Sequence, residues 1–153
     1  MKTCPYDVSE LLPHEPPLIL LNRVDSYSDA SLLAEVDITD RSLFLTAEGV
    51  PSYIGIEYMA QACAAYVGVI AQEAHEPVKI GFLLGTRNYV AHAPWFRHGQ
   101  KLIVNVAMTY RDGQMASFAC RIDVDAILAA EAQLSVYLAD FAVGSPVGGD
   151  APG

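Results

Sequence analysis

Polar and apolar positions along the chain repeat with two periods. From Leu32 to Ile38 they alternate, with Leu32, Ala34, Val36 and Ile38 on one side and Leu33, Glu35 and Asp37 on the other, which is the period of a β-strand. The same alternation runs through Lys101–Arg111, where Leu102, Val104, Val106, Met108 and Tyr110 oppose Asn105, Thr109 and Arg111. It resumes in Gln114–Val124 with Ala116, Phe118, Cys120 and Ile122, and again in Leu128–Leu138. Asp112-Gly113, between two of these runs, is a two-residue hairpin signal. Leu18–Tyr27 and Lys79–Val90 are more continuously apolar and also read as strands.

One segment breaks this pattern. Ile54 to about Glu73 is rich in helix formers, among them Met59, Ala60, Gln61, Ala62, Ala64 and Ala65. Ser52 is its expected N-cap, and Pro77 is its expected stop. The helix is apolar nearly all round, so burial on most sides is expected. Its small residues, including Cys63 and Gly68, would let another backbone come close. Residues 39–53 read as loop, and residues 1–17 as a proline-containing lead-in. Residues 141–153 offer nothing to pack and are expected to be a disordered tail behind a single domain, 1–140. The sum is an α+β chain, an antiparallel sheet of five to six strands wrapped around one long central helix.

Composition narrows the function. With 52% hydrophobic and 18% charged residues in 153, the chain can build a real core. A net charge of −9 argues against nucleic acid and against an anionic membrane surface. Cys4, Cys63 and Cys120 show neither a disulfide framework nor a zinc spacing, so reduced thiols and a cytoplasmic location are expected. The N-terminus lacks the apolar run of a signal peptide. The uncharged stretch Tyr58–Ala71 is shorter than the roughly 20 residues of a membrane span. No nucleotide loop, nucleophile elbow or metal-ligand spacing is present, and neither cofactor nor metal is expected.

Glu57 is the outstanding chemical position, the only acid between Glu48 and Glu73. In the first turn of an apolar helix it reads as a partly buried carboxyl able to act as general acid or base. The competing reading is a solvent-facing glutamate favoured by the helix dipole. Of the four histidines, His14 lies in the rigid segment Leu12-Pro13-His14-Glu15-Pro16-Pro17. His75 suits a helix C-terminus, and His92 and His98 flank a loop. Charge is uneven along the chain. Residues 1–76 hold twelve acids against three bases, whereas residues 77–111 hold Lys79, Arg87, Arg97, Lys101, Arg111 and no acid. That basic block is either an anion-attracting edge or an ordinary solvated face.

Three segments, in order, resemble one family. Leu12-Pro13-His14-Glu15-Pro16-Pro17-Leu18-Ile19-Leu20-Leu21-Asn22-Arg23-Val24 is similar to the opening of bacterial β-hydroxyacyl-[acyl-carrier-protein] dehydratases. Glu57-Tyr58-Met59-Ala60-Gln61-Ala62 resembles their helix with its catalytic glutamate, and Gly81 to Lys101 resembles their third strand and following loop. The whole is most similar to the hotdog-fold dehydratases of aryl-polyene pigment clusters, over roughly residues 10–140. One feature departs: the fatty-acid enzymes carry Gly-His-Phe-Pro before the helix, whereas Ser42–Pro51 here has no histidine.

The resemblance implies a hotdog homodimer, or a heterodimer with a second hotdog subunit. It would dehydrate β-hydroxyacyl thioesters on acyl carrier protein to trans-2-enoyl thioesters, in fatty-acid-like or aryl-polyene biosynthesis. Glu57 is then the acid and His14 the base. Backbone amides of Gly55 and Ile56 would face the developing enolate. Gln61, Phe82 and Leu83 would line the substrate, and Arg87, Arg97 and Lys101 would dock the carrier. A hotdog thioesterase and a non-catalytic acyl-binding subunit are the alternatives.

Overall fold

Alternation becomes a curved sheet with its apolar side turned to one helix. The computed structural model describes residues 1–76 and 80–139, with backbone alone for residues 80–84 and 138–139; the expected tail and Lys79 lie outside the described residues. The elements are β1 (Lys2–Thr3), α1 (Val8–Leu11), β2 (Arg23–Tyr27), β3 (Ser31–Asp37), β4 (Val50–Pro51), α2 (Gly55–Glu73), β5 (Ile80–Ala91), β6 (Trp95–Phe96), β7 (Lys101–Asp112), β8 (Met115–Val124) and β9 (Ile127–Ala139). Seven strands form one antiparallel sheet in the order β1-β2-β3-β7-β8-β9-β5, while β4 and β6 pair separately. This is the expected α+β hotdog arrangement, with more strands than expected. The added strand β1 is only two residues long, too short to carry a period.

The core lies between α2 and the inward rows of the sheet. Leu32, Ala34, Val36 and Ile38 are buried, as are Leu102, Val104, Val106, Ala116, Phe118, Cys120 and Ile122. Tyr110 leaves its row and is exposed, because the β7–β8 register shifts between Met108 and Tyr110. A bulge of this kind turns the following side chains to the other face. Leu18–Asn22 is not strand: β2 starts only at Arg23.

The lead-in is more ordered than its prolines suggest. Asp7 accepts from the Ser9 N–H, and Glu10 accepts from the Asp7 N–H, a capping box that starts α1. The α1 helix ends against Gly68 of α2, where any Cβ would collide with the Leu11 carbonyl. The close backbone approach expected of the small helical residues therefore occurs at α1. At the other end of α2, His75 takes φ +56, with the His75 N–H on the Gln72 carbonyl and the Glu76 N–H on the Ala71 carbonyl. This Schellman pattern closes the helix, and the expected stop at Pro77 lies outside the described residues.

Ser52 does not cap α2. It opens a 3₁₀ turn, Ser52–Ile54, and Ile54 stands at the cap without a side-chain bond. Two hairpins complete the sheet. The first turns on Gly113-Gln114, one residue later than expected, with Gly113 at φ +61. The second turns on Asp125-Ala126, at φ +52 and +65, between the paired Val124 and Ile127. Both central residues at positive φ define a type I′ turn, which favours glycine.

Ala126 carries the steric penalty of a left-handed alanine, about 1–2 kcal/mol. Replacing it with glycine removes that penalty and adds unfolded-state entropy of smaller size. Ala126→Gly is therefore expected to raise stability by up to about 1 kcal/mol. A urea denaturation midpoint at or below that of the parent chain would contradict the strained-turn account.

Candidate active site

The site is built around one buried amide. Gln61 is 1% exposed. Its Oε1 accepts from the Leu20 N–H at 2.8 Å, and its Nε2 donates to the Leu18 carbonyl at 2.8 Å. The same nitrogen reaches Glu57 Oε2, one helical turn earlier, at 3.3 Å. Gln61 thus clamps the irregular segment ahead of β2 to the first turns of α2. Both Nε2 hydrogens are occupied by protein, which gives this residue a structural task that substrate binding does not share.

Glu57 is exposed in the single chain, so the expected partial burial is not found there. The reason is the uneven covering of α2. The sheet covers the sides that carry Tyr58, Met59, Ala62, Cys63, Tyr66 and Val69. Tyr53, Glu57, Ala60, Ala64, Val67 and Ile70 succeed one another at helical spacing on a side that stays exposed or half-buried. That open side is apolar apart from Glu57, which is why the sequence shows no polar face.

His14 is half-buried, and its Nδ1 is buried without a hydrogen-bond partner. It lies just ahead of the turn closed by the Leu18 N–H on the Glu15 carbonyl, in the segment that Gln61 holds. Among the described residues no hydrogen bond joins His14 to Glu57. The other histidines stay apart. His75 ends α2, His98 is exposed, and His92 Nε2 lies 3.5 Å from Glu131.

Of the two amides expected at the helix start, Gly55 is committed: its N–H donates to the Ser52 carbonyl inside the 3₁₀ turn. Ile56 comes next, half-buried. The histidine-free loop before the helix folds on itself. The Thr46 N–H donates to the Gly49 carbonyl and the Gly49 N–H to the Thr46 carbonyl, and Val50–Pro51 then pairs with Trp95–Phe96. Phe82 and Leu83 sit in β5 opposite Tyr137 and Val136, but their side chains lie outside the described residues.

Tyr58 and Arg41 come together only in the fold. Both line a cavity of about 170 Å³ between Pro17–Asn22, the end of β3 and the loop after it. Burial pushes the Tyr58 hydroxyl up to about 12. No charge or spacing pattern marks either residue.

The basic block does not form a single edge. Lys101 opens β7 and Arg111 is its next-to-last residue, so they stand near opposite ends of a strand about 35 Å long. Lys101 lies 3.7 Å from Glu35, which Arg23 also engages. Arg87 and Arg97 are exposed, on β5 and just after β6.

Residues 6–144 match the family described as ApeP-like, ApeP dehydratase. The 3-hydroxyacyl-[acyl-carrier-protein] dehydratase FabZ of Streptococcus uberis is 30% identical over 142 residues, covering 91% of this chain and 96% of that one. FabZ of Erythrobacter litoralis is 28% identical over 144 residues, 88% of this chain and 94% of its own. Among solved structures, the dehydratase heterocomplex ApeI:P from Xenorhabdus doucetiae aligns with a TM-score of 0.84 at 28% identity, over 88% of this chain and 92% of that one. A fold built on one clamped glutamate helix and a match along nearly its whole length lead to one conclusion: the chain belongs to the ApeP-like dehydratase family.

Proposed function

We propose that this chain, in a dimer with a second hotdog subunit, converts 3-hydroxyacyl thioesters on acyl carrier protein to trans-2-enoyl thioesters. The observation that carries the reading is Glu57, held through Gln61 to the segment that bears His14. His14 takes the α-proton, and the electron pair moves toward the thioester carbonyl. The enolate then expels the β-hydroxyl, which leaves as water with a proton from Glu57. Each such proton-transfer group contributes about 10²–10⁴-fold in rate. The Nδ1 of His14 has no hydrogen-bond partner among the described residues, so no protein group there competes for that nitrogen. We assign the Ile56 amide and the positive end of the α2 dipole to the enolate oxygen.

The open apolar side of α2 and the edge of β5, which pairs with no further strand among the described residues, support a partner subunit. An uncovered strand edge is a template for pairing with another chain. The solved Xenorhabdus relative is a heterocomplex, which favours a second, different subunit. The proposal extends to a cytoplasmic location, in keeping with three free thiols, and to the building of aryl-polyene or fatty-acid-like chains. A second reading, an acyl-binding subunit that supports an active partner, is favoured by the histidine-free loop Ser42–Pro51.

Glu57→Gln is expected to lower turnover at least about 100-fold while fold and assembly persist, because the amide keeps the shape but transfers no proton. Mass spectrometry of the carrier-bound product for loss of water measures this, and release of free acid instead would indicate a thioesterase. Wild-type turnover by the variant, alone and with its partner subunit, removes Glu57 from the chemistry.

His14→Ala is expected to lose most activity in the same assay. A near-normal rate would move the base to the partner subunit.

We assign carrier docking to the exposed Arg87 and Arg97, and leave Lys101 out of the test because it lies 3.7 Å from Glu35, beside which a reversed charge would disturb the fold. Arg87→Glu with Arg97→Glu is expected to raise KM for carrier-bound substrate, most at low ionic strength. A small thioester mimic should be handled as before. Equal losses on both substrates would place these residues in the fold rather than the docking surface.

A further inference from the structure

Tyr89 reaches the start of α2 only because β5 is bulged. Arg87 pairs with Gln133 and Val90 with Glu131, so Asn88 and Tyr89 together oppose the single residue Ala132. Asn88 takes φ +58 to make this possible. In an unbroken ladder Tyr89 would stand opposite Glu131, on the outer face of the sheet. The bulge turns it inward, half-buried between the exposed Asn88 and Val90. Bulges recur next to active sites, where they re-aim a side chain.

The inward ring ends on the 3₁₀ turn. The Tyr89 hydroxyl donates to the Ser52 carbonyl. The Ser52 N–H donates to the Pro94 carbonyl at 3.0 Å, and the preceding Val50–Pro51 pairs with Phe96 and Trp95. Ser52 is therefore held on both sides of its backbone. Gly55 completes the fit: a Cβ there would collide first with the Tyr89 hydroxyl, then press on Ile122 and Phe96. Burial pushes the Tyr89 hydroxyl up to about 12, so it stays a donor at neutral pH. Glu57 lies two residues beyond Gly55 on the same rigid turn.

We propose that Tyr89 is a positioning residue: its hydroxyl, on the Ser52 carbonyl, fixes the first turn of α2 and thereby the reach of Glu57. This rests on the reading of Glu57 as the acid of a dehydratase. A misplacement of about 1 Å in such a group costs about 100-fold in rate. Side-chain capping is absent at this helix start, and the Tyr89 hydroxyl ties the leading turn down through a carbonyl, a different bond from the one a cap would make to an N–H.

The test uses the full chain with its partner subunit. Tyr89→Phe is expected to lower kcat about 10- to 100-fold, with KM within about twofold and no matching loss of folded protein. Amide hydrogen exchange at residues 53–57 should rise selectively. Gly55→Ala, which drives a methyl at the hydroxyl, should reproduce the kcat loss. Combined with Tyr89→Phe it should add less than it costs alone, because the phenylalanine removes the tightest of the three contacts while those to Ile122 and Phe96 remain. Unchanged exchange at residues 53–57 overturns the proposal. So does raised exchange with wild-type kcat while Glu57→Gln is inactive, or a loss of activity that tracks only the folded fraction. If Glu57→Gln itself turns over normally, the dehydratase assignment of Glu57 fails, and exchange alone decides whether Tyr89 pins the turn.

Discussion

The side-chain amide of Gln61 is the interaction on which the site depends. Leu18–Leu20 has no strand to pair with, so the Leu18 carbonyl and the Leu20 N–H need another partner. Gln61 supplies both from inside the core, 1% exposed. The two bonds are part-buried, so each contributes about 0.5–1.5 kcal/mol. The same amide nitrogen touches Glu57, so one side chain bonds both the segment that follows His14 and the carboxyl of the helix.

Around that clamp, α2 is covered unequally. The sheet takes the sides of Tyr58, Met59, Ala62 and Tyr66, and α1 presses on Gly68 closely enough to exclude any side chain. The remaining side, Tyr53 through Ile70, is apolar and open, with Glu57 on it. The helix as a whole, with its leading turn, is long and apolar enough to cross a membrane, yet most of it is buried in the fold. Its hydrophobicity belongs to a core on some sides and to an uncovered surface on another. Glu57 stands on that uncovered surface.

Much of the architecture was legible where a period ran long enough. β3, β7, β8 and β9 each show their buried row directly, and the long helix stands out by composition. The capping box of Asp7 and Glu10 was also present in the chain, though masked by the surrounding prolines. Two-residue strands such as β1 and β4 carry no period, so pairing alone reveals them. Bulges defeat the alternation at Tyr110 and Tyr89, because one extra residue turns the next side chain to the opposite face. The basic block illustrates a different limit. Lys101 and Arg111 are near neighbours in sequence, but an extended strand carries them to opposite ends of the sheet.

By itself, the sequence determined that a sheet meets one apolar helix, and that Glu57 is the lone acid of that helix before Glu73. Those features are local, set by side-chain period and by composition within a few turns. Only the tertiary structure decided that Glu57 is open in the single chain, that the Gly55 amide is already bonded, and that Gln61 reaches a carbonyl and an amide far away in sequence. A hydrophobic pattern states how apolar a face is. Which neighbour covers it, and which polar group inside it finds a partner, depends on chain segments that come together only in the fold.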